Sequence, residues 1–482
     1  MVVSDSRTIV DAVRESAFVK VIVVGFLMIV MLIPLSMVHG MIKERTSRRD
    51  EVVTEVSRTW SNPQVAGGFI LSVPYTVTST NDYGKPITTE RVARFLPETL
   101  AIDGRLVTEF RHRSLFEVPV YTAHLTMNGT FRRPNLAALR IDESTARLHD
   151  AWLTIGVGDL RGVNQGVAVT WNGAALATSP SIDTTGMSSQ AFDVKIPGLA
   201  SAQAATQATQ AAPAAQAAAA PASEPASADI PFTVKIDLKG TQQINFQPGG
   251  RTTTVRLAST WPHPAFAGAF LPDKSTVSDA GFDAEWRLSH LGRGYPQAWR
   301  DEDMRPQQVE QAAVASRFGV QLITPVDIYH RAERSTKYGA LFILLTFCTF
   351  FVVELMQRRT LHPVQYLLVG AALCLFYLLL LSLSEHFGFG YAYLAAAVAT
   401  IGVIGMYASY VLGGLSQGVR MVAGLSLLYG FLYVLLQLED YALLVGSISL
   451  FLILAAVMYA TRRVDWYAIG RAPESASDPG AA

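Results

Sequence analysis

The last quarter of the chain carries five long apolar runs that are separated only by short charged connectors. The runs cover residues 338–353, 364–383, 387–412, 419–438 and 441–460. Each approaches or exceeds the roughly 18–20 residues that cross a hydrocarbon core about 30 Å thick. A surface helix of a soluble protein needs a polar face, and these runs show none. The pattern therefore predicts five transmembrane helices.

The connectors between these runs alternate in charge. The basic connectors hold Arg358 with Arg359, Arg420, and Arg462 with Arg463, and the acidic ones hold Glu385 and Glu439 with Asp440. Short loops that carry arginine or lysine stay cytoplasmic, so the basic connectors are expected inside and the acidic ones outside. The reversed orientation would keep the basic cluster at 43–49 inside, but it would put three basic connectors outside. The rule applies mainly to short loops, and it favours the first orientation.

A further apolar run, residues 18–38, follows a short tail at 1–17. It is longer than the apolar core of a cleaved signal peptide and lacks a small-residue cleavage site, so it is predicted to be an uncleaved signal anchor. With five helices downstream, this gives six crossings and a second cytoplasmic tail at 461–482. Residues 41–63 look helical, with Val52, Val56 and Trp60 on one face. That helix is either a docking stalk or one that packs on its own domain.

Residues 39–337 form one large predicted domain between the first and second crossings. Short runs rich in Val, Thr, Phe and Tyr alternate with turn signals such as Asp103-Gly104 and Asn172-Gly173, which indicates antiparallel strands. Their number favours a long β-sandwich or two related sandwiches. Residues 121–130 and 232–241 resemble each other faintly, which is either a trace of duplication or chance. The fold class is therefore α+β: a six-helix membrane bundle (1+5) with a large antiparallel β-sandwich-like periplasmic domain.

Within this domain, residues 200–228 are an Ala/Gln/Pro-rich tract with a single charge, Glu224. Three prolines interrupt it and no apolar stripe supports a helix, so we expect a disordered insertion. The two cysteines, Cys348 and Cys374, both fall in predicted membrane helices. They are expected to act as small apolar residues rather than as a disulfide or a metal site.

No established catalytic or metal-binding motif is present. The chain lacks HExxH, a P-loop, a GxSxG elbow and a dinucleotide fingerprint. Its histidines have no metal-ligand spacing, and the acids at 301–303 fit a solvated connector better than a catalytic dyad. The net charge is zero, which excludes a strongly basic nucleic-acid binder. We therefore predict no catalytic residue, no metal and no cofactor.

Two features of the membrane block are candidate sites. Polar residues close to the ends of the helices either mark topology or form a polar site near the outer face, where two acidic loops meet: Glu385, His386, Glu439 and Asp440. Small residues at spacings of three and four make a helix-packing seam in the fourth crossing: Ala392, Ala395, Ala399, Gly402 and Gly405. The partner of this seam is another helix of the bundle or a second copy of the chain.

Several motifs resemble those of the CreD inner-membrane protein family. They include His-Pro-Val-Gln-Tyr-Leu-Leu-Val-Gly at 362–370, Leu-Leu-Ser-Leu-Ser-Glu-His at 380–386, and the segments at 435–442 and 461–467. The segments at 44–60 and 67–75 are similar too. The chain departs from the family at Gly67-Gly68, where Gly-Pro is usual, and in the insertion at 200–228. Neither departure touches the membrane motifs.

This resemblance implies an inner-membrane protein of Gram-negative bacteria with a large periplasmic β domain. It also implies a link to envelope integrity, to tolerance of a protein toxin and to a cell-wall stress response under a two-component system. The resemblance implies no catalytic residue in this chain. We expect a non-enzymatic protein in contact with membrane lipid, whose β domain binds an envelope protein or glycan. The alternatives are a transporter or flippase of a lipid or small solute, which needs polar groups along an internal route, and a membrane enzyme, which has the least support.

Overall fold

The computed structural model describes residues 17–81, 83–181, 185–188, 190–197, 199, 229–324, 328–357, 361–438 and 441–462. The predicted insertion at 200–228, and most of both predicted tails, lie outside the described residues. The chain divides into a helical unit, Met1–Asp50 with Val326–Ala482, and a β unit, Glu51–Pro325. Helix α1 contributes its residues up to Asp50 to the helical unit and the rest to the β unit.

The long α-helices follow the apolar runs of the sequence. The α-helices are α1 Ala17–Trp60, α2 Pro306–Ala315, α3 Ile328–Lys337, α4 Gly339–Gln357, α5 Pro363–Phe387, α6 Phe389–Val411, α7 Leu415–Gln437 and α8 Ala442–Thr461. The predicted anchor and the helix predicted after it are one uninterrupted helix, α1, which includes Pro34. Helix α3 was not predicted, because it is short and most of its residues are polar or charged.

Four of the described helices are long and apolar enough to cross a membrane: α1, α5, α6 and α7. Helices α3 and α4 meet at a 43° bend and make a fifth candidate if they are counted as one span. Helix α8 contributes the shorter apolar stretch Leu444–Ala455. The helical unit therefore has four to five candidate spans by length and composition, against the six predicted.

The strands of the β unit form two sheets. They are β1 Gln64–Thr80, β2 Pro86–Phe95, β3 Thr99–Arg113, β4 Phe116–Phe131, β5 Trp152–Val157, β6 Val163–Trp171, β7 Ala174–Leu176, β8 Ser179–Ser181, β9 Gln190–Lys195, β10 Ile230–Thr241, β11 Gln243–Phe246, β12 Thr252–Ser259, β13 Pro264–Gly268, β14 Lys274–Ser278, β15 Gly281–Ser289, β16 Ala298–Arg300 and β17 Phe318–Leu322. Short 3₁₀ helices lie at Ala137–Leu139, Glu143–Thr145, Leu148–Asp150, Leu160–Gly162 and His290–Gly292.

One sheet has the order β13-β17-β11-β1-β5-β9-β8, with β2 beside β1 and β16 beside β2, and the other has the order β14-β15-β12-β3-β4-β10-β6-β7. The prediction of an antiparallel domain holds for most strand pairs, but both sheets are mixed, because β1 pairs in parallel with β11 and β12 pairs in parallel with β3. Both pairs join strands that are far apart in sequence, so the local alternation that predicts a strand carries no information about its direction.

A single large hydrophobic cluster lies between the two sheets. It joins residues of the first sheet, such as Phe69 and Leu153, to residues of the second, such as Leu125, Val234 and Trp286. The described strands therefore form one sandwich rather than two. The two segments of similar sequence are the neighbouring strands β4 and β10, which pair antiparallel in one sheet.

Candidate functional site

The first candidate site of the helical unit is the buried carboxylate Glu354 on α4. Its Oε1 lies 3.0 Å from Lys20 Nζ on α1, and the backbone N–H of Leu361 donates to the same oxygen at 3.0 Å. Its Oε2 accepts a hydrogen bond from the hydroxyl of Tyr366 on α5 at 2.8 Å. One carboxylate thus connects three helices, and its charge is met by a cation as a buried charge requires.

The second candidate site is Glu385, near the last turn of α5. Only 7% of its side chain is exposed. Its Oε1 lies 3.5 Å from Arg45 Nε on α1 and accepts a hydrogen bond from the Tyr329 hydroxyl of α3 at 3.1 Å. A carboxylate at the C-terminal end of a helix faces the negative end of the helix dipole. Arg45 therefore supplies the positive charge that this position needs.

These two carboxylates contact opposite ends of the apolar part of α1. A rise of about 1.5 Å per residue places Lys20 and Arg45 about 37 Å apart along the helix. That span exceeds the hydrocarbon thickness of about 30 Å and is shorter than the 40–45 Å that includes the headgroup regions. In a bilayer, each ion pair can lie at the level of one headgroup region. The two ion pairs hold both ends of this stretch of α1 to other helices of the helical unit.

Between the two ion pairs, α1 packs closely on glycines of the helical unit. A Cβ added at Gly370 of α5 would lie 2.7 Å from Met31 Sδ, and one added at Gly339 of α4 would lie 2.8 Å from Leu35 Cδ1. Cys374 Sγ lies 3.7 Å from the carbonyl oxygen of Met31. These contacts were missed from the sequence, where the small-residue spacing of the fourth crossing was the stronger signal.

Of the predicted polar site, the structure describes Glu385 and His386, which have different surroundings. His386 follows Glu385 but is exposed, and its Nδ1 lies 3.2 Å from the carbonyl oxygen of Ser382. Glu439 and Asp440 lie outside the described residues. The carbonyl of Leu438, which precedes them, accepts a hydrogen bond from Arg334 of α3 at 3.1 Å. Helix α3 thus contacts Glu385 at the end of α5 and Leu438 at the end of α7.

The predicted helix-packing seam lies on α6. The structure places Ala395, Ala399 and Gly402 on the exposed side of this helix. Ala392 is buried, and a Cβ added at Gly405 would collide with Val422 Cγ2 of α7. Within the helical unit the seam is therefore an interface at its two ends only. The buried face of α6 instead carries residues such as Ala396, Ala397, Thr400, Ile404 and Ala408.

In the β unit, the acids at 301–303 are bound to arginines. Arg94 Nε lies 2.8 Å from Asp301 Oδ1, and Arg300 Nη2 lies 2.7 Å from Asp303 Oδ1. The hydrogen bond from Arg300 holds the pKa of Asp303 below its usual value. No group of three or more His, Cys, Asp or Glu residues that could hold a metal ion occurs among the described residues. This cluster joins β2 to the segment after β16 rather than forming a dyad.

The second feature of the β unit is a hairpin arm, residues 76–81 and 83–90. Within it, the end of β1 pairs with the start of β2 from Thr76 opposite Glu90 to Thr80 opposite Pro86. The partners on either side stop short of this segment, since β5 pairs with β1 only as far as Ser72 and β16 starts at Ala93 of β2. Among the described strands, both outer edges of the arm are therefore unpaired.

The hairpin arm also exposes apolar side chains. Val77 is 37% exposed and Ile87 is 47% exposed. Val77 lies opposite Thr89, and Ile87 lies opposite Ser79, so the period of two residues puts both apolar side chains on one face. At the tip, Tyr83 is 88% exposed. The arm is thus an accessible two-stranded ribbon with an apolar face, a feature that sequence patterning could not separate from an ordinary hairpin.

Helices of membrane-spanning length joined to a β-sandwich are the features of an integral membrane protein that carries a large β unit. The family described as Inner membrane protein CreD matches residues 16–467. Inner membrane protein CreD of Escherichia coli (strain K12) is 33% identical over 443 residues, which are 91% of this chain and 91% of that protein. The chain therefore belongs to the CreD inner membrane protein family, as its motifs predicted.

Proposed function

We propose that this protein is a non-enzymatic component of the inner membrane that supports envelope integrity and the envelope-stress response. In this proposal the β unit binds another envelope component and the helical unit anchors it. The observation that carries the proposal is the hairpin arm, because its unpaired edges and exposed apolar face are suited to a partner. The ion-paired acids of the described β unit fit structural roles better than catalytic ones.

The chemistry of the arm favours an extended polypeptide as its partner. An unpaired strand edge presents backbone N–H and C=O groups to any strand that aligns with it. Strand addition uses those groups for affinity and the alternate side chains for specificity. Val77 and Ile87 would supply the apolar contacts, and the threonines of the opposite face would stay hydrated. The partner we propose is therefore an extended segment of an envelope protein.

We also propose six crossings, with both termini in the cytoplasm and the β unit in the periplasm. The alternation of basic and acidic connectors supports this topology. Alkaline phosphatase fused within the β unit should be active, and green fluorescent protein fused at the C terminus should fluoresce. An inactive phosphatase fusion in a correctly inserted chain would reverse the orientation.

The function is tested by complementation of a strain that lacks its own copy of the protein. The variant Val77→Asp with Ile87→Asp charges the apolar face of the arm, and both sites are exposed, so the fold should be retained. The matched control is Leu271→Asp with Leu291→Asp, which charges two residues that are 71% and 84% exposed outside the arm. We expect the arm variant to lose resistance to cell-wall-active antibiotics and the control to keep it. Full resistance in the arm variant would contradict the proposal.

A further inference from the structure

The helical unit contains a cavity of about 820 Å³ between α6 and α7. Its walls include Phe389, Tyr393 and Ile401 of α6 with Gly430 and Tyr433 of α7. The hydroxyl of Tyr393 is already engaged, since it donates to the carbonyl of Tyr429 at 2.7 Å. The cavity is therefore mainly apolar and is suited to a hydrocarbon ligand rather than to a polar solute.

The dimensions of the cavity match one leaflet of a bilayer. It begins at Phe387 and Gly388, where α5 ends and α6 starts, and extends along α6 to Ile401. From Phe389 to Ile401 the helix rises about 18 Å, slightly more than half of a hydrocarbon core about 30 Å thick. One end thus lies where the helices end and the other lies near mid-membrane. A single acyl chain has this shape and this placement.

Arg331 of α3 is not part of the cavity wall, but it lies beside the wall residue Phe389, at the end of the cavity where the helices end. The guanidinium carbon of Arg331 on α3 lies 5.9 Å from the centre of the Phe389 ring, and Phe389 is itself part of the cavity wall. Arg331 is half-buried, and within the described part of the chain it has no carboxylate partner at ion-pair distance. A guanidinium pairs well with a phosphate, which accepts two of its parallel N–H donors.

We propose that this cavity binds one acyl chain of an anionic phospholipid of the membrane, with the lipid phosphate paired to Arg331. The apolar walls select a hydrocarbon chain, and the cation favours a headgroup with net negative charge over a zwitterionic one. The site is separate from the hairpin arm and does not depend on the function proposed for it.

Two variants test the two parts of the site. Arg331→Gln removes the charge, with Arg420→Gln, an exposed arginine at the start of α7, as its control. Gly430→Leu fills the cavity, because a Cβ at Gly430 meets no atom within 4 Å. Gly402→Leu is its control, since a Cβ there also meets open space and Gly402 does not line the cavity.

The measurement is native mass spectrometry of the full chain in detergent with phosphatidylglycerol or phosphatidylcholine. We expect the natural protein to retain phosphatidylglycerol preferentially. One basic residue near a membrane surface contributes about 1 kcal/mol of attraction to an anionic lipid, so Arg331→Gln should lower that retention about fivefold. Gly430→Leu should lower retention of both lipids, and both controls should behave as the natural protein. Equal retention of the two lipids by the natural protein, or retention unchanged in both test variants, would overturn the proposal.

A second measurement covers the case in which a variant fails to fold. Phosphatidylglycerol with a photoreactive acyl chain is bound to the natural protein and the complex is irradiated. The modified peptides are then mapped by mass spectrometry. We expect modification of α6 and α7 residues that line the cavity. Modification confined to other helices would contradict the site.

Discussion

The ion pair between Lys20 and Glu354 allows a quantitative prediction for the helical unit. The two charged atoms lie 3.0 Å apart, and at an effective dielectric constant of about 20 their attraction is about 5.5 kcal/mol before desolvation is counted. Lys20 keeps 26% of its side chain exposed, whereas Glu354 keeps only 5%. Desolvation of the carboxylate therefore offsets much of the attraction. We expect a net coupling of about 1–3 kcal/mol, as for other residues in one hydrogen-bond network.

The perturbation is an exchange of the two charges. Lys20→Glu and Glu354→Lys each place like charges at the pair, and the double variant restores opposite charges. A lysine at 354 cannot accept hydrogen bonds from Tyr366 and Leu361, so the rescue should be partial. At about 2–4 °C per kcal/mol, the coupling corresponds to about 2–12 °C in the midpoint of thermal aggregation of the full chain in detergent. A double variant no more stable than Glu354→Lys alone would refute the ion pair as a tether of α1.

Three further predictions concern single positions. Arg293 is buried, burial lowers the pKa of its guanidinium to about 10, and it donates to three consecutive backbone carbonyls. Arg293→Met should therefore lower the free energy of unfolding by about 3–5 kcal/mol. In the same measurement, thermal unfolding followed by tryptophan fluorescence, the exposed control Arg287→Met should change that free energy by less than about 0.5 kcal/mol. Burial raises the pKa of Asp159, but hydrogen bonds from Arg161 and from the Asn62 N–H leave that pKa below its usual value. The stability that Asp159 contributes is therefore present above its unfolded pKa of about 3.9 and lost as the pH falls through the lower folded pKa. The stability difference between the natural protein and Asp159→Asn, measured by urea unfolding, should be constant from about pH 7 to 5 and shrink below about pH 4. A stability difference that persists to the lowest pH would contradict this role of Asp159. Gly370→Val should press on Met31, displace α1 and lower the midpoint of thermal aggregation. Gly402→Val should leave that midpoint unchanged, because a Cβ at Gly402 meets open space. Equal midpoints for the two variants would argue against close packing at Gly370.

The positions of the apolar helices could be predicted from the sequence because hydrophobic length alone decides whether a helix can cross a membrane. The sequence could not predict which side of each helix packs against its neighbours. A helix in lipid is apolar all round, so periodicity does not separate a packed face from a lipid-facing one. For this reason the small-residue spacing of α6 pointed to Ala395, Ala399 and Gly402, which are exposed, while the close glycine contacts of α1 at Gly339 and Gly370 were missed.

The β unit shows the same division between local and long-range information. Alternating residues predicted most of its strands, because side chains of a strand point to its two faces in turn. The parallel pairing of β1 with β11 joins residues such as Gln64 and Ile244, and no local pattern specifies a partner at that distance. The burial of Glu385 was also hidden, since its cation, Arg45, comes from a helix at the other end of the chain.

The most direct test of the proposed function is photo-crosslinking from the hairpin arm in living cells. The photoreactive amino acid p-benzoylphenylalanine is placed at Tyr83, and in a parallel chain at Leu291, which is 84% exposed outside the arm. We expect position 83 to give a discrete adduct with an envelope protein, absent from position 291 and lost when Val77→Asp and Ile87→Asp are added. No adduct at position 83 above the level at position 291, or adducts with lipid alone, would contradict the arm as a protein-binding surface.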